Sequence, residues 1–329
     1  MKNDIKTVRD ILPDKMVTLF DDITQQRVLG ASKHIAMIGD MIEAIALAGK
    51  EEKEDLTVII DNIKMLAKFF IETRGEASQA ISNAIRIMIH EIDQYIAFDI
   101  DDCIEKILQT KNNYLKTSEE AIEKVVEYAT VLAKDMSKIF VFDYSSTVDK
   151  FLTNLESNER EYTIYIAESR IIDGGLPFVL SCQKAGHKIK FIPDASIMYY
   201  LQECDGAFMG AETFFPDGTG FNTTGSDIVG LVCFNYNIPL YFLTPMIKID
   251  IRPIYGYSKV LVINDMKQKF TKGWDQEIDV DAIDFRTPEL LGVEPKHIKG
   301  FVTEKGIIPA NQMYEISLEY SKYLRGDAL

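Results

Sequence analysis

The chain has 329 residues, 47% hydrophobic and 26% charged, enough to bury a sizeable core and too apolar for a largely disordered protein. Its 51 Asp and Glu against 36 Lys and Arg give a net charge of -15, which opposes direct nucleic-acid binding and docking on anionic membranes but leaves room for a local anion pocket. No apolar run approaches the roughly 20 residues that span a bilayer, and the charged start Met1-Lys2-Asn3-Asp4 reads as no signal peptide.

The first 135 residues read as helices. Ile35, Ile38, Ile42 and Ile45 fall on one face of a helix expected to end near Gly49. The charged link Glu51–Asp55 leads to a second helix, with Asp55 or Thr57 as its N-cap, carrying Ile59, Ile63, Leu66 and Phe70. Ile81, Ile85, Met88, Ile92 and Ile96 continue the pattern, as do Ile122, Val126, Ala129 and Ala133. No proline interrupts the chain between Pro13 and Pro177.

The character changes at Ser137. Ile139–Phe142 is a short apolar run followed by polar Asp143–Thr147 and a helical stretch, Val148–Leu155. Thr163–Ala167 ends in Glu168-Ser169-Arg170 and a Gly174-Gly175 turn, and a helix through Cys182 leads to Lys188–Ile192 and Asp194. Gly206–Met209, Leu240–Leu243 and Val260–Ile263 repeat the pattern of apolar strand and polar end. Short buried strands alternating with helices imply a parallel sheet, with ligands outside the carboxyl ends of the strands. The expected architecture is α/β: an N-terminal helical domain, residues 1–135, followed by a Rossmann-like doubly wound parallel-sheet domain, residues 136–329.

Residues 210–227 read as a glycine-rich loop between a strand and the apolar helix Ile228–Phe234. Its glycine spacing misses a dinucleotide fingerprint, and there is no Walker lysine. The N–H groups of Asn222, Thr223, Gly225 and Ser226 at a helix start would suit an anion; the bland alternative is a surface loop with Ser226 as N-cap. Arg170, at a strand end, can clamp a phosphate or pair with Glu168. Arg74, where Gly75 interrupts a helical pattern, reads by itself as a surface charge. His34, His90, His187 and His297 lack metal-ligand spacing and read as solvent-facing or capped helical residues, so no metal is expected. Cys103, Cys182, Cys204 and Cys233 form no CxxC pair and read as buried thiols of a cytoplasmic protein. The acidic stretch Asp279–Asp284 reads as a solvated loop.

From about Thr73 to Pro309 these segments resemble a superfamily containing the alpha, beta and delta subunits of translation initiation factor 2B, methylthioribose-1-phosphate isomerase and ribose-1,5-bisphosphate isomerase. The resemblance rests on Glu168-Ser169-Arg170 with Gly174 and Gly175, Ile192-Pro193-Asp194, Cys204-Asp205 through Gly210-Ala211-Glu212, Asn222-Thr223-Thr224-Gly225-Ser226 and Thr303–Pro309. Arg74–Ile85 is similar to an Arg-Pro stretch, with Gly75 in place of the proline. The resemblance implies a homodimer and a small phosphorylated ligand, a sugar phosphate or nucleotide, without a cofactor. Arg74, Arg170 and the 222–226 segment would hold phosphate, and Ser145 and Ser146 would contact hydroxyls, with Tyr144, Gly174 and Gly175 beside them. It also places the isomerases' catalytic cysteine at Asp143, or at Tyr144 if the match slips by one, and their catalytic aspartate at Glu212. The family's helix-start lysine is Thr223 here. A non-catalytic, regulatory binding protein is therefore the expected function. The alternative is an aldose–ketose isomerase of ribose-1-phosphate-type substrates, with Asp143 and Glu212 as its acid–base pair.

Overall fold

In the computed structural model, which describes residues 2–28, 30–75, 78–155 and 160–325, the chain opens with α1 (Lys2–Asp10), α2 (Asp14–Thr24), α3 (Ala31–Glu52), α4 (Leu56–Thr73), α5 (Gln79–Met88) and α6 (Ile100–Leu132). The apolar stripes are the cause of this layer. Ile35, Ile38, Ile42 and Ile45 are buried on α3, and Ile59, Ile63, Leu66 and Phe70 on α4. Fully burying each such side chain contributes about 1.5–3 kcal/mol. Asp55 caps α4, accepting the Thr57 N–H at 2.8 Å. Helix α3 does not end near Gly49; it runs to Glu52 and stops where Lys53 turns left-handed. Gly49 serves packing instead, because a Cβ there would lie 2.5 Å from the Ile59 side chain.

The remaining elements alternate. The strands are β1 (Lys138–Val141), β2 (Thr163–Ala167), β3 (Lys188–Ile192), β4 (Gly206–Gly210), β5 (Thr213–Phe214), β6 (Gly220–Thr223), β7 (Leu240–Leu243), β8 (Ile263–Asp265), β9 (Arg286–Pro288), β10 (Leu290–Val293), β11 (Gly300–Thr303) and β12 (Gly306–Ile308). Between and after them come α7 (Ser146–Asn154), α8 (Leu176–Lys184), α9 (Ile197–Leu201), α10 (Ser226–Tyr236), α11 (Lys267–Phe270) and α12 (Met313–Arg325). A seven-stranded sheet runs β12-β11-β7-β4-β1-β2-β3, parallel except for the β11–β12 hairpin. This is the doubly wound order, and its direction reverses between β1 and β4, where such sheets open a crevice at their carboxyl ends. Strands β4 and β7 are buried throughout, as a sheet covered on both faces requires.

Two compact units divide the chain: Met1–Ala121 with Ile247–Ile249 and Ser317–Leu329, and Ile122–Met246 with Asp250–Ile316. The division falls inside α6 and not after residue 135. Val125, Ala129 and Ala133 belong to the sheet core with Ile139, Val141 and Phe151, so the end of the helix is drawn into the second unit.

Three further expectations are corrected. Residues 210–227 are not one loop, because β5 and β6 pair antiparallel and β10 adds to β6, with Asn222 opposite Leu291. Val260–Ile263 is not a strand of the main sheet. Its residues are exposed, and only Ile263 enters a ribbon, β8 with β9. His34 and His187 are buried, each with Nε2 2.7 Å from a carbonyl oxygen, of Val28 and Leu152 respectively. The four cysteines are buried thiols, and among the described residues no helix is long and apolar enough to cross a membrane.

Candidate functional site

The carboxyl ends of β1 and β2 each finish on a non-glycine residue with left-handed backbone, Asp143 at φ 58° and Ser169 at φ 47°. Those sharp turns bring the two residues together. Asp143 is 3% exposed; its Oδ1 accepts the Ser169 hydroxyl at 2.9 Å and its Oδ2 accepts the Thr223 hydroxyl at 2.8 Å. Burial pushes the Asp143 carboxyl up from its ordinary range. The hydrogen bonds from Thr223, Ser169 and the Tyr144 N–H pull it back, and the charge of Glu212 pushes it up again.

The glycine turn is explained by this carboxylate. A Cβ on Gly174 would lie 1.9 Å from Asp143 Oδ1, and one on Gly175 would lie 2.0 Å from the Ala167 carbonyl oxygen. Both glycines are needed for close approach before any ligand is considered. Asp194 holds the same turn from the other side, accepting the Ser169 and Arg170 N–H groups at 2.9 Å each. The alternative Arg170–Glu168 pair is not the contact found. Glu168 accepts the Asp194 N–H at 3.4 Å, while the exposed Arg170 guanidinium stands 5.9 Å from the Phe270 ring centroid.

Ser145 is the N-cap of α7, accepting the Val148 N–H at 3.5 Å, and its side chain occupies the space that a Cβ on Gly210 would fill. Tyr144 and Ser146 are exposed, the tyrosine ring 5.4 Å from that of Phe178. The anion cradle expected from Asn222 to Ser226 is narrower than the sequence implied. The Thr223 N–H is taken by Asn222 Oδ1 at 2.8 Å and the Thr224 N–H by the Glu289 carbonyl at 3.1 Å, because these residues sit on a paired strand. Gly225, at φ 107°, is the N-cap of α10, and the buried Ser226 donates its hydroxyl to the Asn222 carbonyl at 3.4 Å. Glu212 is half-buried and within electrostatic reach of Asp143 and Lys259.

Arg74 belongs to the helical unit, where it ends α4 half-buried with its Nε lacking a partner among the described residues. The Ser78 hydroxyl at the start of α5 is also buried without a partner among the described residues. Glu76 and Ala77, inside the 74–85 stretch, lie outside the described residues.

Residues 30–310 match the Initiation factor 2 subunit family. The chain belongs to that family. It is 20% identical over 310 residues to ribose 1,5-bisphosphate isomerase of Archaeoglobus fulgidus, covering 94% of this chain and 95% of that one. It is 22% identical over 298 residues to a putative translation initiation factor eIF-2B subunit 2-like protein of Pyrococcus furiosus, covering 91% and 98%. In structure it is similar to translation initiation factor eIF-2B of Pyrococcus horikoshii, with a TM-score of 0.71 and 19% identity over 91% of this chain and 98% of that one.

In this member of the initiation factor 2 subunit family, the sheet unit brings Gly174, Ser169 and Thr223 against Asp143, sets Gly175 against the Ala167 carbonyl and Ser145 against Gly210, and leaves Arg170 exposed. Sequence reasoning missed Ser169 and Asp194 as the braces of that site. Both lie in segments already marked, but no spacing ties residue 169 to residue 143. Among the described residues no group of His, Cys, Asp and Glu could hold a metal ion.

Proposed function

We propose that this protein binds a phosphorylated sugar or nucleotide at the carboxyl end of the sheet and does not isomerise it. The observation that carries this reading is the Asp143 carboxylate, buried, with one oxygen held by Ser169 and the other by Thr223. By resemblance a reactive thiol belongs at this position. The group present has both oxygens already occupied by protein hydroxyls, so it braces the ends of β1, β2 and β6. Arg170, exposed at the rim, supplies phosphate recognition, and the N–H groups at the start of α10 add to it. An oligomer with a two-fold axis fits the resemblance and is part of the same proposal.

The test has two parts. Mass spectrometry of small molecules released from the purified protein should recover a sugar phosphate or a nucleoside monophosphate. Incubation with methylthioribose-1-phosphate or ribose-1,5-bisphosphate should yield no ketose. Turnover near ~1 s⁻¹, the low end for ordinary enzymes, would overturn the non-catalytic reading.

A second reading, an aldose–ketose isomerase, is favoured by one observation. Asp143 has its carboxyl raised by burial and by Glu212, the direction a general acid needs at neutral pH. Under that reading Asp143→Asn and Glu212→Gln would each abolish a measurable turnover.

A further inference from the structure

Two adjacent residues of α11 touch the turn that carries Arg170. The Phe270 ring centroid stands 5.9 Å from the Arg170 guanidinium, and the Lys269 ammonium meets the Asp173 carboxylate at 2.7 Å. The backbone of this turn is already held by Asp194, which accepts the Ser169 and Arg170 N–H groups, so α11 adds control over side chains. Helix α11 has the frame to do so, because the excursion that carries it has contacts of its own. The Asp265 carboxylate accepts the Lys267 N–H at 2.8 Å, Lys267 pairs with Asp281, and the Met266 N–H donates to the Phe285 carbonyl at 3.1 Å. Phe285 is itself buried against Trp274, ring centroids 5.9 Å apart.

The Arg170 side chain is exposed, and among the described residues no carboxylate pairs with it, Glu168 being turned to the Asp194 N–H. An arginine free in water samples many rotamers, and a ligand that has to order it loses affinity. An aromatic ring against the guanidinium removes part of that freedom and leaves the N–H groups along its edge for a bidentate phosphate contact. We infer that Phe270 is a positioning residue of the phosphate site: α11, gripped to the turn through Lys269 and Asp173, holds Arg170 ready for a phosphoryl group. This rests on the proposed reading of Arg170 as the phosphate ligand and gives the 251–289 excursion a part in it.

The experiment is calorimetric titration of the full chain with D-ribose 5-phosphate, with melting curves to verify folding. It is run on the unaltered protein, Phe270→Ala, Phe270→Tyr, Asp173→Asn, Arg170→Ala and the Arg170→Ala/Phe270→Ala double variant. Phe270→Ala should weaken binding roughly two- to fivefold, the scale of an exposed cation–π contact. Phe270→Tyr, which keeps the ring, should restore it, and Phe270→Ala should change nothing further once Arg170 is gone. Asp173→Asn is decisive if Phe270→Ala does not fold. Asparagine tolerates the left-handed backbone at 173, φ 55°, and breaks the ion pair. Loss of a carboxylate that merely repels phosphate would tighten binding, whereas loss of the grip on α11 weakens it. Unchanged affinity in Phe270→Ala, the same loss from it with and without Arg170, or unchanged or tighter binding in Asp173→Asn each overturns the inference alone. If the unaltered protein does not bind the probe, or Arg170→Ala binds it equally well, the phosphate reading of Arg170 fails and the inference falls with it.

Discussion

Thr223→Val tests the brace at its narrowest point. The Thr223 side chain is buried and its hydroxyl donates to Asp143 Oδ2 at 2.8 Å, while valine keeps its volume and removes the donor. A hydrogen bond to a charged group contributes about 1.5–3 kcal/mol, and a buried carboxylate left short of a donor bears a desolvation penalty of similar size. The expected loss at pH 7 is therefore about 1.5–3 kcal/mol. The lone tryptophan, Trp274, lies in the sheet unit, so its fluorescence during urea unfolding reports that unit. The sign of the pH dependence follows from the raised carboxyl of Asp143. A carboxyl raised in the folded state favours folding most at acid pH, and that contribution is lost as pH rises through its folded value. Removing the Thr223 donor raises it further, so the penalty should be full at pH 7 and shrink as Asp143 takes up its proton. In an Asp143→Asn background the Thr223→Val penalty should also fall, giving a measurable coupling. A penalty under about 0.5 kcal/mol at pH 7, or one as large in the Asp143→Asn background as in the parent, would refute the brace.

Gly174→Ala should destabilise the sheet unit by about 1–3 kcal/mol, since the new methyl group would overlap Asp143 Oδ1, and an unchanged urea midpoint would contradict the close approach. Asp194→Ala frees two N–H groups at the β2 turn and should cost about 1–3 kcal/mol by the same assay; a wild-type midpoint would show that the turn holds itself. Arg170→Ala should leave stability unchanged, because the side chain is exposed, and weaken the ligand recovered from the protein by about 1.5–3 kcal/mol in calorimetry. Unaltered affinity would remove Arg170 from the site.

The fold was legible wherever burial and periodicity coincide. Thr163–Ala167 and Lys188–Ile192 stand as strands with the ends read from the sequence; the first is covered by the core, and the second is a largely exposed edge strand held by its pairing with β2. Val260–Ile263 is more apolar than either and joins no main-sheet strand, and nothing in a single run of residues tells which runs find a neighbouring strand. The site was legible in its positions but less so in its roles. Gly174 and Gly175 look like a phosphate turn, yet their first duty is to admit the Asp143 carboxylate and the Ala167 carbonyl. Thr223 looked like a helix-start donor, but it lies on a strand and commits its hydroxyl to Asp143. Contacts between residues 143, 169 and 223 join three separate strand ends, and a long-range contact of that kind leaves no periodic trace.

The pairing of β10 with β6 closes the chain around residues 224–289, and the 251–289 excursion within it carries its own ribbon, β8 with β9, separate from the main sheet. The entropy lost in closing a loop grows only slowly with length, by about 0.6 kcal/mol for each doubling. Insertions or deletions at the exposed tip of that excursion are therefore nearly neutral for the sheet, while they move Phe270 relative to Arg170. Length variation there is a route by which one scaffold can acquire new ligand preferences without disturbing its core.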